Sequence, residues 1–173
     1  DFFDNRLNKF KAGNIAEKNF SNSGVVIGDA LLTGKIDLIR INREDKKIVV
    51  VDYKTGSIPL KNGKIDKSNS KIHKYEQQLY FYEILIENTP EFAGYQIEKG
   101  IIEFIEPSNK TGETYNYEVC FDSEKENNLK LLIQAVWSRI KNFNFEFETD
   151  KYPKNLKGIK QFEADLIEEF ENR

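Results

Sequence analysis

The chain has 173 residues, 39% of them hydrophobic and 32% charged, and a net charge of −3. This composition is typical of a folded domain with one core, and it excludes a compositionally disordered protein. Because the net charge is slightly negative, any contact with a polyanion must come from a local basic patch.

The single cysteine, Cys120, excludes an intrachain disulfide and every four-cysteine zinc or iron–sulfur arrangement. No apolar run reaches the roughly 20 residues of a membrane span, and no leader is visible, so we expect a cytoplasmic protein without membrane contact. The sequence begins at Asp1 without a methionine. We therefore expect residues 1–173 to be a single domain taken from a longer protein.

Helical periodicity and β-branched runs predict the elements of the first half of the chain. Apolar residues at helical spacing precede a Gly-Asn stop, and Val, Ile and Leu then dominate two stretches. Four lysines with Ser, Asn, Gly and Pro follow without periodicity, which is typical of a long functional loop. The predicted elements are a helix over 3–10, strands within 25–42, a strand over 47–53 and a loop over 56–71.

The second half repeats the alternation of helices and strands. An apolar stripe through Tyr75, Leu79, Tyr82 and Ile86 predicts a helix. Two strands follow as a hairpin, and then two further helices, the first of them beginning at a capping-box pattern of Ser123 and Glu126. The predicted ranges are 72–88, 100–105, 115–121, 123–140 and 159–170. Together the elements predict an α/β domain with a central mixed β-sheet flanked by helices.

The polar turn between Asn42 and Lys47 sets a hairpin register in which Asp37 lies directly across from Asp52. Two such carboxylates would be about 5 Å apart, and their repulsion would be roughly 3 kcal/mol at an effective dielectric near 20. A divalent cation offsets this repulsion most simply, because Mg²⁺ binds carboxylate oxygens together with water and phosphate. The register therefore predicts a cation site between Asp37 and Asp52.

Lys54 lies two residues after Asp52 and so projects from the same face of its strand. Two carboxylates that hold a cation, with a lysine beside them, suit the hydrolysis of a phosphodiester. The alternative is an aspartate and a lysine that simply end a strand in solvent, which is a common arrangement.

Three segments resemble the RecB-like branch of the PD-(D/E)XK nuclease superfamily, and they occur in the same order as in that family. The family reads G-x-I-D, D-Y-K-T-G and Q-L-x-x-Y; the chain reads GKID from Gly34, DYKTG from Asp52 and QLYFY from Gln78. The resemblance covers roughly residues 17–90. It implies a restriction-endonuclease-like core and a DNA exonuclease that uses Mg²⁺ or Mn²⁺. It also implies a helicase domain or subunit as partner, in DNA repair or recombination, and no iron–sulfur cluster.

The resemblance also implies roles for single residues. Asp37 and Asp52 would ligate the metal, the backbone carbonyl of Tyr53 would complete its sphere, and Lys54 would be catalytic. Gln78 and Tyr82, which share a helix face, would contact DNA or the catalytic lysine. For Tyr82, packing in the apolar stripe is an equal alternative.

One ligand of the family pattern has no counterpart, because many relatives carry a His or Glu on a helix before the first strand. Glu17 could substitute, although it corresponds better to a non-catalytic Glu of the relatives. Lys61, Lys64 and Lys71 are candidates for contact with the DNA backbone, and a solvated loop is the alternative. The unassigned ligand also leaves open a catalytically inactive module that keeps the nuclease fold for DNA binding or structural support.

Overall fold

The computed structural model describes residues 13–172, except for the side chain of Thr149, so the helix predicted over 3–10 lies outside the described residues. Nine strands and three α-helices are found in this part of the chain. The strands are β1 (Ile15–Asn19), β2 (Val26–Ile27), β3 (Ala30–Leu31), β4 (Lys35–Asn42), β5 (Lys47–Lys54), β6 (Leu60–Lys61), β7 (Lys64–Ile65), β8 (Gln96–Phe104) and β9 (Asn116–Val119).

Five of the strands form one mixed sheet in the order β1-β4-β5-β8-β9. The pairing of β5 with β8 is parallel and the other pairings are antiparallel. β2 pairs with β3, and β6 pairs with β7, as two small hairpins outside the sheet. The predicted fold class, a mixed sheet with flanking helices, is confirmed.

The helices are α1 (Ser70–Glu87), α2 (Ser123–Lys141) and α3 (Leu156–Glu171). Each begins at an Asn or Asp whose side chain accepts a backbone N–H of the first turn, which is the usual way to satisfy a helix N-terminus. The capping-box prediction for α2 is wrong by one residue. The cap is Asp122, which accepts from the backbone N–H of Lys125 at 3.1 Å, and Ser123 is already the first helical residue.

The sheet is apolar on both faces, as the β-branched runs predict. Ile39, Ile48 and Val50 belong to the main core with α1, whereas Leu38 and Val51 belong to a smaller cluster with Ile101. α1 crosses close to the sheet because β8 carries Gly100, where a Cβ would lie 3.0 Å from three side-chain atoms of Leu79. The α1 helix is thereby fixed over the carboxyl end of β5.

Two regions differ from the sequence-based elements. β1 was not predicted, because only Ile15 in it is a large apolar residue and the strand holds its place at the sheet edge through the backbone of β4. The stretch 56–71, predicted as a loop, contains the β6–β7 hairpin with Asn62 and Gly63 at its tip. None of the helices within residues 13–172 has the length and apolar character needed to cross a membrane.

Candidate active site at the carboxyl end of β5

The hairpin of β4 and β5 has the predicted register. Leu38 pairs with Val51 and Ile41 with Ile48, so Asp37 and Asp52 are the next facing positions at the open end of the hairpin. Oδ2 of Asp37 accepts the backbone N–H of Tyr53 at 2.8 Å, which fixes this carboxylate against β5. The two carboxylates are close enough that the charge of Asp37 raises the pKa of Asp52. The structure therefore brings together the two acids that the sequence singled out.

Asp52 is 2% exposed and is the centre of a network of polar side chains. Its Oδ1 accepts hydrogen bonds from Nε2 of Gln78 and from the hydroxyl of Tyr82, both at 2.9 Å. Gln78 Nε2 also donates to the Tyr82 hydroxyl at 2.6 Å, so these two side chains of α1 are joined to each other as well as to Asp52. Burial raises the pKa of Asp52, and the Lys54 ammonium and the Tyr82 hydroxyl oppose that rise.

Lys54 joins the same network from the end of β5. Its Nζ lies 2.6 Å from Oδ2 of Asp52 and donates to Oε1 of Gln78 at 2.8 Å. Alternation along β5 places the two side chains on one face, which is the face that α1 covers. Gln78 thus bridges the acid and the lysine, because its amide nitrogen binds Asp52 and its carbonyl binds Lys54.

Tyr82 packs in the core and contacts Asp52, whereas its predicted contact with DNA stays a prediction. The side chain is 5% exposed and belongs to the main core, so it packs as the apolar stripe predicts. Its hydroxyl nevertheless donates to Asp52, and burial together with the neighbouring Asp52 charge raises the pKa of this phenol, which keeps it a donor. Tyr82 therefore orients the acid from within the core.

The donor set around Asp52 fits a hard divalent cation. Oδ2 of Asp52 is buried and, within the described residues, accepts no well-aligned hydrogen bond, although the Lys54 ammonium lies beside it. Asp37 uses Oδ2 for the backbone N–H of Tyr53, which leaves Oδ1 as the oxygen that could face a cation. Two carboxylates are sufficient for Mg²⁺, which keeps several waters and binds substrate phosphate with the remainder of its sphere.

A third acidic or histidine ligand is not found in the part of the chain that the structure describes, where no three His, Cys, Asp or Glu side chains form a metal-binding group. Glu17 lies on β1, with its carboxylate more than half exposed, and it forms an ion pair with Lys35. The structure thus does not bring Glu17 into one ligand group with Asp37 and Asp52.

The three predicted DNA-contacting lysines follow β5 in the chain, two on the β6–β7 hairpin and one at the start of α1. Lys61 and Lys64 are exposed and face each other across the β6–β7 hairpin. Lys71 is in the first turn of α1 and donates to the backbone oxygen of Ser57 at 2.8 Å. The segment is therefore basic, and Lys71 ties the start of α1 to the chain that follows β5.

Tyr75 is a residue of the site that the sequence-based interpretation treated only as part of the apolar stripe. The Nζ of Lys54 lies 5.0 Å from the centroid of its ring. The signal that could have found it is its spacing, since Tyr75 lies one helical turn before Gln78 and so faces the same side of α1.

His73, the single histidine, lies in the first turn of α1 and contacts a distant helix. Its Nε2 lies 3.0 Å from Glu163 on α3, which also accepts from Gln77 at 2.8 Å. The contact spans 90 positions of sequence, and no local pattern could have indicated it.

Comparisons with known proteins identify a family for the chain. The family model described as the PD-(D/E)XK nuclease superfamily matches residues 5–154. A search of curated proteins finds no significant match. Among solved structures, the crystal structure of SSO0001 is similar to 78% of this chain at 19% sequence identity with a TM-score of 0.41, and the chain spans 53% of that protein's chain.

Proposed function

The chain belongs to the PD-(D/E)XK nuclease superfamily, and we propose that it is a deoxyribonuclease of the exonuclease type that depends on Mg²⁺ or Mn²⁺. The observation that carries the proposal is the network in which Asp37, Asp52 and Lys54 converge at one end of the β4–β5 hairpin. Asp52 is a buried acid held by two donors from α1 and by the Lys54 ammonium, and such clusters of buried ionisable groups are typical of functional sites.

The residues of the site would have different roles in phosphodiester hydrolysis. Asp37, Asp52 and the backbone carbonyl of Tyr53 would hold the cation, which when bound polarises the phosphate and lowers the pKa of a water. Lys54 places an ammonium beside this position, where it stabilises the negative charge that develops on the phosphate. Gln78 and Tyr82 fix Asp52 and Lys54 in one geometry, so these groups do not reorganise during the reaction.

The basic segment before α1 supports DNA as the substrate. Lys61 and Lys64 extend from the β6–β7 hairpin and Lys71 from the start of α1, so three exposed or half-buried lysines occur between Lys54 and Gln78 in the chain. Such groups bind the phosphate backbone without reading sequence. The wider setting that we propose is DNA repair or recombination in the cytoplasm, within a longer protein that carries or binds a helicase.

A second candidate function is a binding or structural module that keeps this fold without turnover. The observation that favours it is the absence of a third acidic or histidine ligand among residues 13–172. The intact Asp37, Asp52 and Lys54 favour the nuclease, because a module without turnover has no need of a lysine held against a buried acid.

The experiment incubates the purified chain with end-labelled linear DNA, single- and double-stranded, and with covalently closed circular DNA, in Mn²⁺ or Mg²⁺. We expect progressive loss of the linear substrates and an intact circle. Asp52→Asn and Lys54→Ala should each lower the rate at least about 100-fold, because each removes a group that stabilises charge in the transition state.

The matched control is Asp150→Asn, which neutralises an exposed aspartate in a 3-10 helix outside the site. This variant and the parent chain should cleave at equal rates, and a chelator should stop both. Cleavage that survives Asp52→Asn or the chelator would overturn the site. Cutting of the closed circle would overturn the exonuclease assignment, and DNA binding without cleavage under every condition would favour the binding module.

A further inference from the structure

The ring of Tyr75 lies against the ammonium of Lys54 in a way that the network around Asp52 does not require. We propose that Tyr75 is a positioning residue that holds the Lys54 ammonium in place when a cation occupies Asp52. The inference depends on the proposed function, because it concerns the same site. Tyr75 would then contribute to the site as well as to the packing of α1.

Three groups surround the Lys54 Nζ. Oδ2 of Asp52 lies 2.6 Å away and Oε1 of Gln78 lies 2.8 Å away. The centroid of the Tyr75 ring is 5.0 Å away, within the roughly 6 Å at which the negative face of an aromatic ring attracts an ammonium. The ring is thus a third group close to the ammonium, in addition to the two oxygens.

The three contacts differ in what happens when Asp52 takes a cation. The buried oxygen that would hold the cation is the one now beside Lys54, so a bound cation would compete with the ammonium for it. The Gln78 carbonyl is coupled to the same event, since the amide of Gln78 also donates to Asp52. The attraction of the Tyr75 ring does not involve Asp52, and it persists in the loaded site.

The ring is itself held from two sides. It meets the buried ring of Phe104 edge to face, with centroids 6.0 Å apart and an interplanar angle of 62°. The Lys71 Nζ lies 5.8 Å from the same ring and is tied to the backbone oxygen of Ser57 at 2.8 Å. Tyr75 is therefore fixed between the sheet and the segment that follows β5, which makes it a firm support for a mobile lysine side chain.

The experiment compares Tyr75→Phe and Tyr75→Leu with the parent chain, and uses Tyr80→Leu as the matched control. Tyr80 is also an aromatic of α1, but it packs against Phe121 and its hydroxyl accepts the backbone N–H of Asp122. Two readouts are taken: kcat and KM on linear DNA, and the NMR shift of the Lys54 ε-methylene protons in the Mg²⁺-loaded protein, assigned by its loss in Lys54→Arg.

We expect the ring to shift the Lys54 ε protons upfield in the parent chain and in Tyr75→Phe, which keeps the aromatic face. In Tyr75→Leu the shift should disappear and kcat should fall about 10-fold with KM nearly unchanged, as when a supporting residue of a metal site is lost. Tyr80→Leu should keep the Lys54 shift and kcat. Tyr75→Met, which fills more of the space, repeats the comparison if the leucine variant does not fold.

Either of two results overturns the proposal: unchanged Lys54 shifts in Tyr75→Leu, or an unchanged kcat although the shifts have moved. If the parent chain does not cleave DNA at all, the proposed function fails. The Lys54 shifts of the Mg²⁺-loaded variants then decide the contact with Tyr75 on their own.

Discussion

Asp52 and Glu83 are both buried carboxyl groups, but they differ in their polar partners. Asp52 is 2% exposed, and its charge is met by Lys54 and by donors from α1. Glu83, on the same helix, is 6% exposed, and within the described residues its Oε2 has no hydrogen-bond partner. Burial raises the pKa of Glu83 to about 8, with contributions from the nearby charges of Glu87 and Glu126. Asp52 is thus surrounded by polar partners, whereas Glu83 stays protonated at neutral pH.

This difference predicts how Glu83 affects the free energy of unfolding. The pKa is 4.5 in a solvated glutamate and about 8 in the folded protein, so between these values the folded state binds more protons than the unfolded state. The contribution of Glu83 to stability is therefore lost as the pH rises from about 4.5 to about 8. Glu83→Gln removes the titration and should raise the free energy of unfolding at pH 8 by on the order of 1–3 kcal/mol.

Urea unfolding of the parent chain and of Glu83→Gln at pH 5 and pH 8 measures the effect. The gain should be small at pH 5 and largest at pH 8. Glu44→Gln is the matched control, because Glu44 is exposed in the turn between β4 and β5 and should show no such difference. A gain in Glu83→Gln that does not depend on pH would contradict the assignment.

Among single residues, those of the candidate site could be predicted where the spacing along one hairpin determines which side chains are neighbours. The register of one hairpin places Asp37 opposite Asp52, and alternation places Lys54 on the face of Asp52. The roles of Tyr75 and Glu83 could not be assigned in this way. Both side chains lie on faces of α1 that pack against the rest of the protein, and the helical periodicity indicates only that these faces pack. Their roles follow from what lies across from them in the fold.

At the scale of elements, the helices were predictable because periodicity and turn residues are local properties of the sequence. The start of α2 shows the limit of such patterns: Ser123 and Glu126 fit a capping box, but Asp122 precedes them, is an equally good cap and accepts the backbone N–H of Lys125. β1 shows another limit. Glu17 has a φ of +56°, so the backbone of β1 is irregular at this residue, and its side chains do not follow the regular alternation by which a strand is identified. An edge strand of this kind is stabilised by the strand beside it.

The corrected cap of α2 makes a prediction about stability. Asp122→Ala leaves the backbone N–H of Lys125 without its acceptor and should lower the free energy of unfolding by about 1 kcal/mol. Ser123→Ala, the matched control one residue on, should change it by less than about 0.5 kcal/mol. Chemical denaturation of the two variants measures both values, and a larger loss in Ser123→Ala would show that the capping box is formed after all.

At the scale of the whole molecule, the site depends on elements that follow one another in sequence. β4, β5 and α1 supply Asp37, Asp52, Lys54 and Gln78 within one continuous stretch, which is why the site could be anticipated before the fold was known. The parallel pairing of β5 with β8 and the contact of His73 with Glu163 join distant parts of the chain. No period or motif encodes such pairings, and they emerge only from packing the whole domain.

Asp37 and Asp52 are proposed to form one cation site, and the proposed function depends on it. The most direct measurement is anomalous diffraction from crystals of the parent chain and of Asp52→Asn soaked in Mn²⁺. We expect an anomalous peak between the two carboxylates in the parent chain, at the roughly 2.0–2.6 Å that oxygen ligands of hard divalent cations take. The peak should be absent in Asp52→Asn. A parent-chain crystal with Mn²⁺ bound elsewhere and none between Asp37 and Asp52 would contradict the account.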